Sequence, residues 1–568
     1  MGKTRGETSG CAGDGQRTVN GQLQLYRNSL SPATRCCSDL LAHCRRCVAI
    51  VHRTIDNRQL SPSSSRWSSL TAPLNNCRCS AYLEQQPHPH PRSDTFQVSS
   101  KLSSLYSTRI PISSTTVYGA MSAATSATPV LQSWVPVDAD SDFPIQNLPY
   151  GVFTTPTQSD KHIGVAIGSQ VLDLHVLASY GLFAALPALQ HGDVFKQPTL
   201  NAFMALPRAQ WAEVRKLLTH LLTDSTATLR DNAQLRSLAL VPQSSVTMQL
   251  PCVIGDYTDF YSSRNHAFNI GKMWRGEANA LQPNYLHLPV GYHGRSSSIL
   301  PTNTPLHRPR GQTAPDDSTP PQLTTCRILD FELEVGVFLG GPPNPLGHPI
   351  SLPSARDRMF GLVLLNDWSA RDIQRWEYVP LGPFTAKNFA TTISPWIVTF
   401  EALEPFRCAA EEQLHPAPLP YLTHACNSGY EVGLSVSVVS EYSVERDSPV
   451  PITRSNTRHL YWTFQQQLTH HSVTGCNMQA GDLLGSGTIS GTTEAEYGSL
   501  IELSWKGEKE VSIGEEREGG GGGKRKFLKD GDEVILKGKA TKEGLGWSIG
   551  FGECRGKILP AVEEKDWV

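Results

Sequence analysis

Apolar and polar residues are spaced along much of this chain in ways that predict short elements of both kinds. His162-Ile-Gly-Val-Ala-Ile167 and Gln170-Val-Leu-Asp-Leu174 flank Gly168-Ser169, and two β-prone runs across a two-residue turn predict a hairpin. Trp211, Val214, Leu217, Leu218, Leu221 and Leu222 recur at helical spacing and predict a helix with one apolar stripe. Beyond residue 249, Gly-bounded β-prone runs such as Ile501-Glu-Leu-Ser-Trp505 and Glu533-Val-Ile-Leu-Lys-Gly538 are broken by two helical stretches, so a mixed, mainly β domain is expected. The first 120 residues combine Ser, Arg, Pro and Gln without sustained periodicity and are expected to be mostly disordered. The expected division is an extension over residues 1–130, a small domain over 131–248 and a larger one over 249–568.

Length supports that division, because 568 residues exceed the roughly 250 to 300 that one core organises. Hydrophobic residues at 39% and charged residues at 18% suffice to bury a core. Charge is uneven: residues 1–120 hold 14 Lys and Arg against 6 Asp and Glu, and the remainder 36 against 46. The larger part therefore lacks the basic patch that recruits nucleic acid, and no apolar stretch reaches the roughly 18 residues that span a bilayer. Neither nucleic acid nor membrane is an expected partner.

Seven of the thirteen cysteines (Cys11, Cys36, Cys37, Cys44, Cys47, Cys77, Cys79) fall in the first 120 residues and the rest are scattered. Scattered thiols without a secretory signal fit a reducing compartment and no disulfide framework, so a cytoplasmic location is expected. The Arg- and Ser-rich opening also has the composition of an organellar transit peptide. Met121, just ahead of folded-looking sequence, points instead to an over-extended reading frame upstream. Cys44-x2-Cys47 and Cys77-x-Cys79 read as incidental, since the second pair is too tight for a zinc knuckle. Gly519 to Gly523 followed by Lys524-Arg-Lys526 reads as a hairpin tip, because a phosphate cradle needs the Walker spacing and a trailing Ser or Thr.

Three stretches carry candidate chemistry. In Gly255-Asp-Tyr-Thr-Asp-Phe-Tyr-Ser-Ser-Arg-Asn-His-Ala267, Asp259 and His266 stand seven apart, and on a helix seven steps of about 100° return to one face. Asp330-Phe-Glu-Leu-Glu-Val-Gly-Val-Phe338 alternates as a strand, placing Glu332 and Glu334 on one side, where either solvent or a cation relieves their repulsion. Leu364 to Tyr378 reads as a helix on which Asp367, Arg371, Gln374 and Tyr378 share an arc, as a binding surface or as a plain solvated face. Lys387 follows a Gly-Pro break before Thr391-Thr392, and Thr488 sits in the Gly-rich turn Gly485-Ser-Gly-Thr-Ile-Ser-Gly491. Glu502, a carboxylate among apolar neighbours, could orient an imidazole. His470 and His471 are read as structural, because helix neighbours diverge by about 100° and do not easily grasp one ion.

Ser141-Asp-Phe-Pro-Ile145, Gly255 to Arg264, Leu288-Pro-Val-Gly-Tyr-His-Gly-Arg295, Asn366-Asp-Trp-Ser-Ala-Arg-Asp372 and Ser486-Gly-Thr-Ile-Ser-Gly491 closely resemble the eukaryotic two-domain type of the fumarylacetoacetase (fumarylacetoacetate hydrolase) family, from about Trp134 to about Pro560. The resemblance implies a mainly β fold with helices: an N-terminal SH3-like barrel packed on a mixed β-roll, metal-dependent catalytic domain, assembled as a homodimer. It implies hydrolysis of the carbon–carbon bond of 4-fumarylacetoacetate, with Ca2+ or Mg2+ as cofactor.

By motif, the family's metal ligands fall on Asp259, Glu332, Glu334 and Asp367, with Asp367, Lys387 and Thr391 bordering a second, Mg-binding position. His266 becomes the base and Glu502 its orienting partner. Arg371, Gln374 and Lys387 become donors to developing negative charge, and Tyr261, Arg275, Gln374, Tyr378 and Thr488 substrate contacts. An oxygen-only donor set suits a hard dication, whereas zinc recruits His or Cys. Two alternatives stay open: an acylpyruvate hydrolase or oxo-acid decarboxylase on the same catalytic domain, and a non-catalytic scaffold.

Overall fold

The computed structural model describes residues 130–568 except 190–192, 317, 442, 444–447 and 515–522. The extension up to residue 129, with the expectations of disorder, targeting and incidental cysteines placed on it, lies outside the described residues, as does most of the Gly519–Gly523 tip. The short strands flanking that tip, Val511–Ser512 and Lys524–Arg525, pair antiparallel. No described helix is long and apolar enough to cross a membrane.

The hairpin read from the alternation forms as expected. Gln158–Ile167 pairs with Gln170–Asp173 across Gly168-Ser169, with Gly168 at a φ of 55° that favours a residue without a Cβ. It belongs to a five-stranded antiparallel sheet completed by Tyr150–Thr155, Leu240–Pro242 and Thr247–Gln249. The predicted helix spans Arg208–Leu222 and buries Trp211, Val214, Leu218, Leu221 and Leu222.

An eight-stranded mixed sheet forms the centre of the larger part. Its order is Gly291–Gly294, Tyr257–Phe260, Leu483–Gly485, Leu333–Leu339, Met359–Asp367, Thr391–Ile393 and Ile299–Pro301, with Val398–Thr399 also paired to Met359–Asp367. Both long central strands are buried at every residue, and their near-continuous apolar sequence is what two covered faces require. Leu362 and Leu364 enter a core shared with a second sheet (Val450–Asn456, Gly433–Val439, Glu533–Ala540, Ile549–Leu559, Leu306–His307), whereas Val363 and Leu365 enter the core of the N-terminal lobe. The central sheet is thereby clamped from both sides.

Three expectations are corrected. Asp259 and His266 do not share a helix: Tyr257–Phe260 is a strand paired with Leu483–Gly485, and the helix Arg264–Arg275 starts only after Ser263, whose hydroxyl caps the His266 amide. Asp367 does not lie on the helix of Arg371 and Gln374. It ends the strand Met359–Asp367, and that helix is Arg371–Glu377, with Tyr378 at its C-cap. The apolar run Leu362 to Leu365 fits either period, and partner strands on both sides settle it as β. Ile501 to Trp505 is not a strand either. Leu500–Leu503 is a helical turn followed by Trp505 and Lys506 at positive φ, and its first amides donate to the buried Asp330 carboxylate.

Trp368, fully buried directly after Asp367, donates from Nε1 to Thr392 Oγ1 at 2.9 Å and abuts Gly556, where a Cβ would meet its ring at 2.5 Å. Trp368→Ala is expected to cost about 3 to 5 kcal/mol through the cavity it leaves. Denaturant unfolding followed by tryptophan fluorescence and circular dichroism would measure it.

Candidate active site

Sheet register gathers the acidic residues. Asp259 ends opposite Gly485, Gly485 pairs with Gly336 two residues past Glu334, and Asp367 ends the next strand opposite Thr391. One carboxylate oxygen each from Asp259, Glu334 and Asp367 lies within 4.8 Å of the other two, and all three side chains are buried. Gly485 makes this possible, since a Cβ there would stand 2.8 Å from Asp259 Oδ1 and 3.3 Å from Glu334 Oε2. The Gly487 amide donates to Glu334 Oε2 at 3.0 Å, and Thr391 Oγ1 donates to Asp367 Oδ1 at 3.0 Å.

Among the described residues, cations reach this triad only at Asp367. Lys387, read from sequence as a loop lysine, is buried, with Nζ bonded to Glu332 Oε2 and 2.7 Å from Asp367 Oδ2. Arg371 Nη2 stands 2.8 Å from Glu332 Oε1 and 2.9 Å from Asp330 Oδ2, close ion pairs rather than aligned hydrogen bonds, while Nε bonds Asp330 at 2.9 Å and Nη1 bonds Gln374 Oε1 at 3.1 Å. Glu332 therefore sits beside the triad with both oxygens engaged. Burial would push its carboxyl up, but Lys387 and Arg371 hold it well below the ordinary range.

Asp259 and Glu334 are in the opposite condition. Burial, reinforced by the neighbouring carboxylates, drives both well above the ordinary range, and Asp259 Oδ1 and Glu334 Oε1 have no hydrogen-bond partner among the described residues. Burial also raises Asp367, against the pull of Lys387. Three buried carboxylates that meet within 4.8 Å, two of them carrying an oxygen without a donor among the described residues and given room by a glycine, fit a metal ion bonded to oxygen. These residues can hold a metal ion.

Beside them stands an imidazole–carboxylate pair. His266 Nδ1 lies 2.7 Å from Glu502 Oε2, and both are buried. Glu502 also accepts from Ser490 Oγ at 2.8 Å, Ser499 Oγ at 2.8 Å and Asn269 Nδ2 at 2.9 Å. Burial alone would raise the Glu502 carboxyl, but His266 and these donors hold it below its ordinary range. Beside an ionised acceptor, Nδ1 carries the proton of this hydrogen bond, which fixes the orientation of the ring. Tyr261 sets its ring edge-on against the imidazole, with centroids 5.2 Å apart.

Other sequence-derived positions vary. Thr488 is buried in the Gly-rich turn, Gln374 is held by Arg371, and Tyr378 is 45% exposed. Arg275 spends its guanidinium on the Asn279 and Ala280 carbonyls of its own loop. His470 and His471 take separate partners, Tyr421 OH at 2.9 Å and Thr258 Oγ1 at 2.8 Å, as their divergence requires. Sequence reasoning missed Tyr292, whose hydroxyl donates to Asp367 Oδ2 at 3.1 Å, and Asp330, although period two from Glu332 places Asp330 on the same side of the run.

Two family descriptions match this chain: "Fumarylacetoacetase N-terminal" over residues 146–251 and "Fumarylacetoacetate (FAA) hydrolase C-terminal" over residues 256–559. It is 56% identical over 431 residues to the fumarylacetoacetase of Caenorhabditis elegans, 55% over 430 to that of Bos taurus and 54% over 430 to that of Homo sapiens. Each comparison spans 76% of this chain, with 100% of the nematode protein and 99% of each of the other two. Full-length identity above one half, together with both family matches, establishes that the chain belongs to the fumarylacetoacetate hydrolase family.

Proposed function

We propose that this chain is a hydrolase that cleaves the carbon–carbon bond of 4-fumarylacetoacetate to fumarate and acetoacetate, the closing step of tyrosine and phenylalanine degradation. Relatives that carry the name of this activity are matched along their whole length. The observation that carries the chemistry is the buried triad Asp259, Glu334 and Asp367, short of cations, beside the His266–Glu502 pair. Ca2+ or Mg2+ is the proposed occupant, with Asp259, Glu332, Glu334 and Asp367 as the residues that would hold it; Lys387 and Thr391 border a further position at Asp367. When bound, such an ion supplies Lewis-acid charge to the diketo oxygens of the substrate.

The side chains then divide the work. His266 Nε2 takes a proton from water while Glu502 holds the ring in one tautomer. The new hydroxide bonds the ketone carbon, and the bond to the acetoacetate carbon breaks with its electron pair leaving on that fragment as the enolate. His266 returns its proton to that carbon. Arg371, Gln374 and Lys387 offer N–H donors to the negative charge, and removing one such donor costs about 3 kcal/mol of barrier. Tyr261, Arg275, Tyr378 and Thr488 are the proposed substrate contacts, and Arg275 would leave its loop carbonyls to grip a terminal carboxylate. Residues 131–248 are read as an SH3-like domain, 249–568 as a β-roll catalytic domain, and the assembly as a cytoplasmic homodimer.

His266→Ala is expected to lower kcat on fumarylacetoacetate by at least about 100-fold while circular dichroism is unchanged. Fumarylpyruvate and oxaloacetate are assayed in parallel, and preference for either would reassign the substrate. A metal-replete wild type inert on all three would favour a scaffold.

Removing metal should abolish turnover, and adding back Ca2+ or Mg2+ should restore it. The same ions are expected to raise the wild-type melting temperature, by about 2.7 kcal/mol of added stability at a hundredfold excess over Kd. Glu334→Gln removes one of the repelling carboxylates. Its metal-free melting temperature should be no lower than wild type, and it should not respond to either ion. A thermal-shift titration in which this variant responds like wild type would place the ion elsewhere.

A further inference from the structure

Asp330 is fully buried, and its carboxylate accepts from one side chain and two backbone amides. Oδ2 accepts from Arg371 Nε at 2.9 Å and from the Ile501 amide at 3.1 Å, and Oδ1 accepts from the Leu500 amide at 2.7 Å. Arg371 Nη2 adds an ion pair at 2.9 Å to Oδ2. Three elements meet on this one side chain: the run that carries Glu332, the first residue of the helix that carries Gln374, and the turn that carries Glu502.

We infer that Asp330 is a positioning residue that keeps the charge-stabilising Arg371 in register with the Glu502–His266 pair. With Nε and Nη2 set against Asp330, Arg371 shares Nη2 with Glu332 and turns Nη1 to Gln374. Leu500 and Ile501 immediately precede Glu502, so the depth at which their amides are held sets where the Glu502 carboxylate meets His266 Nδ1. One carboxylate thus ties the group that receives negative charge to the group that moves the proton. An ordinary buried ion pair would stabilise the fold alone.

Asp330→Asn separates these roles. An amide of the same shape must point its NH2 either at the Leu500 amide, from the Oδ1 position, or at the guanidinium and the Ile501 amide, from the Oδ2 position, and all three are donors, so part of the arrangement is displaced in either orientation. The metal triad is not touched.

The expected result is a kcat reduced between about 10- and 100-fold, because small misplacements of reacting groups cost that much. KM should stay within about threefold of wild type. The acid limb of the kcat/KM profile should shift, and the metal-induced rise in melting temperature should be kept. Asp330→Glu, which restores the charge, should lie nearer wild type in kcat and in the acid limb.

A kcat within about threefold of wild type with an unmoved profile would overturn the inference. So would failure of both variants to fold or to respond to metal, which would make Asp330 a structural residue only. The inference rests on reading His266 and Glu502 as the acid–base pair, and the two readings fail separately. An active His266→Ala enzyme contradicts that pair, whereas an unaffected Asp330→Asn enzyme contradicts only the role of Asp330.

Discussion

Uncompensated negative charge in a buried site is the constraint on which the rest depends. Asp259, Asp330, Glu332, Glu334, Asp367 and Glu502 are all buried, and the cations placed among them are Arg371 and Lys387. Burying an ionised carboxylate costs several kcal/mol unless it is paired. The two cations serve Glu332, Asp330 and one oxygen of Asp367, and backbone amides and hydroxyls serve Asp330 and Glu502. What is left over falls on Asp259 and Glu334, where a metal ion could relieve the repulsion.

Such an arrangement survives only on a stiff frame. The central strands are packed on both faces, by the second sheet on one side and the N-terminal lobe on the other, so the side chains at their ends cannot drift apart to lower their repulsion. Two glycines tune the gaps: Gly485 leaves room between Asp259 and Glu334, and Gly487, at a φ of 75°, turns its amide toward Glu334. The N-terminal lobe therefore contributes to the site through the back of the sheet, without supplying a reactive group.

The His266–Glu502 pair is built on a different principle. His266 and Glu502 sit at the starts of two helical segments from distant parts of the chain, and Ser263, Ser490 and Ser499 link them with short polar side chains. Asp330 joins this assembly to Arg371, so the turn that carries Glu502 and the guanidinium share one buried anchor.

Local pattern was enough to read the hairpin at Gly168-Ser169, the Arg208–Leu222 helix and the mainly β character, because each depends on neighbours within a few positions. It misplaced Asp259 and Asp367 on helices, since short apolar runs fit both periods and only partner strands far away in the chain decide between them. It also left open whether Glu332 and Glu334 are solvated, and could not show that Lys387 is buried against Glu332. The role of Asp330 was equally out of reach, although its spacing from Glu332 was in plain view. Burial and long-range pairing are properties of the closed sheet. Residue order alone determined which groups were available for chemistry, and tertiary structure decided which of them meet, which are neutralised and which still need a cation.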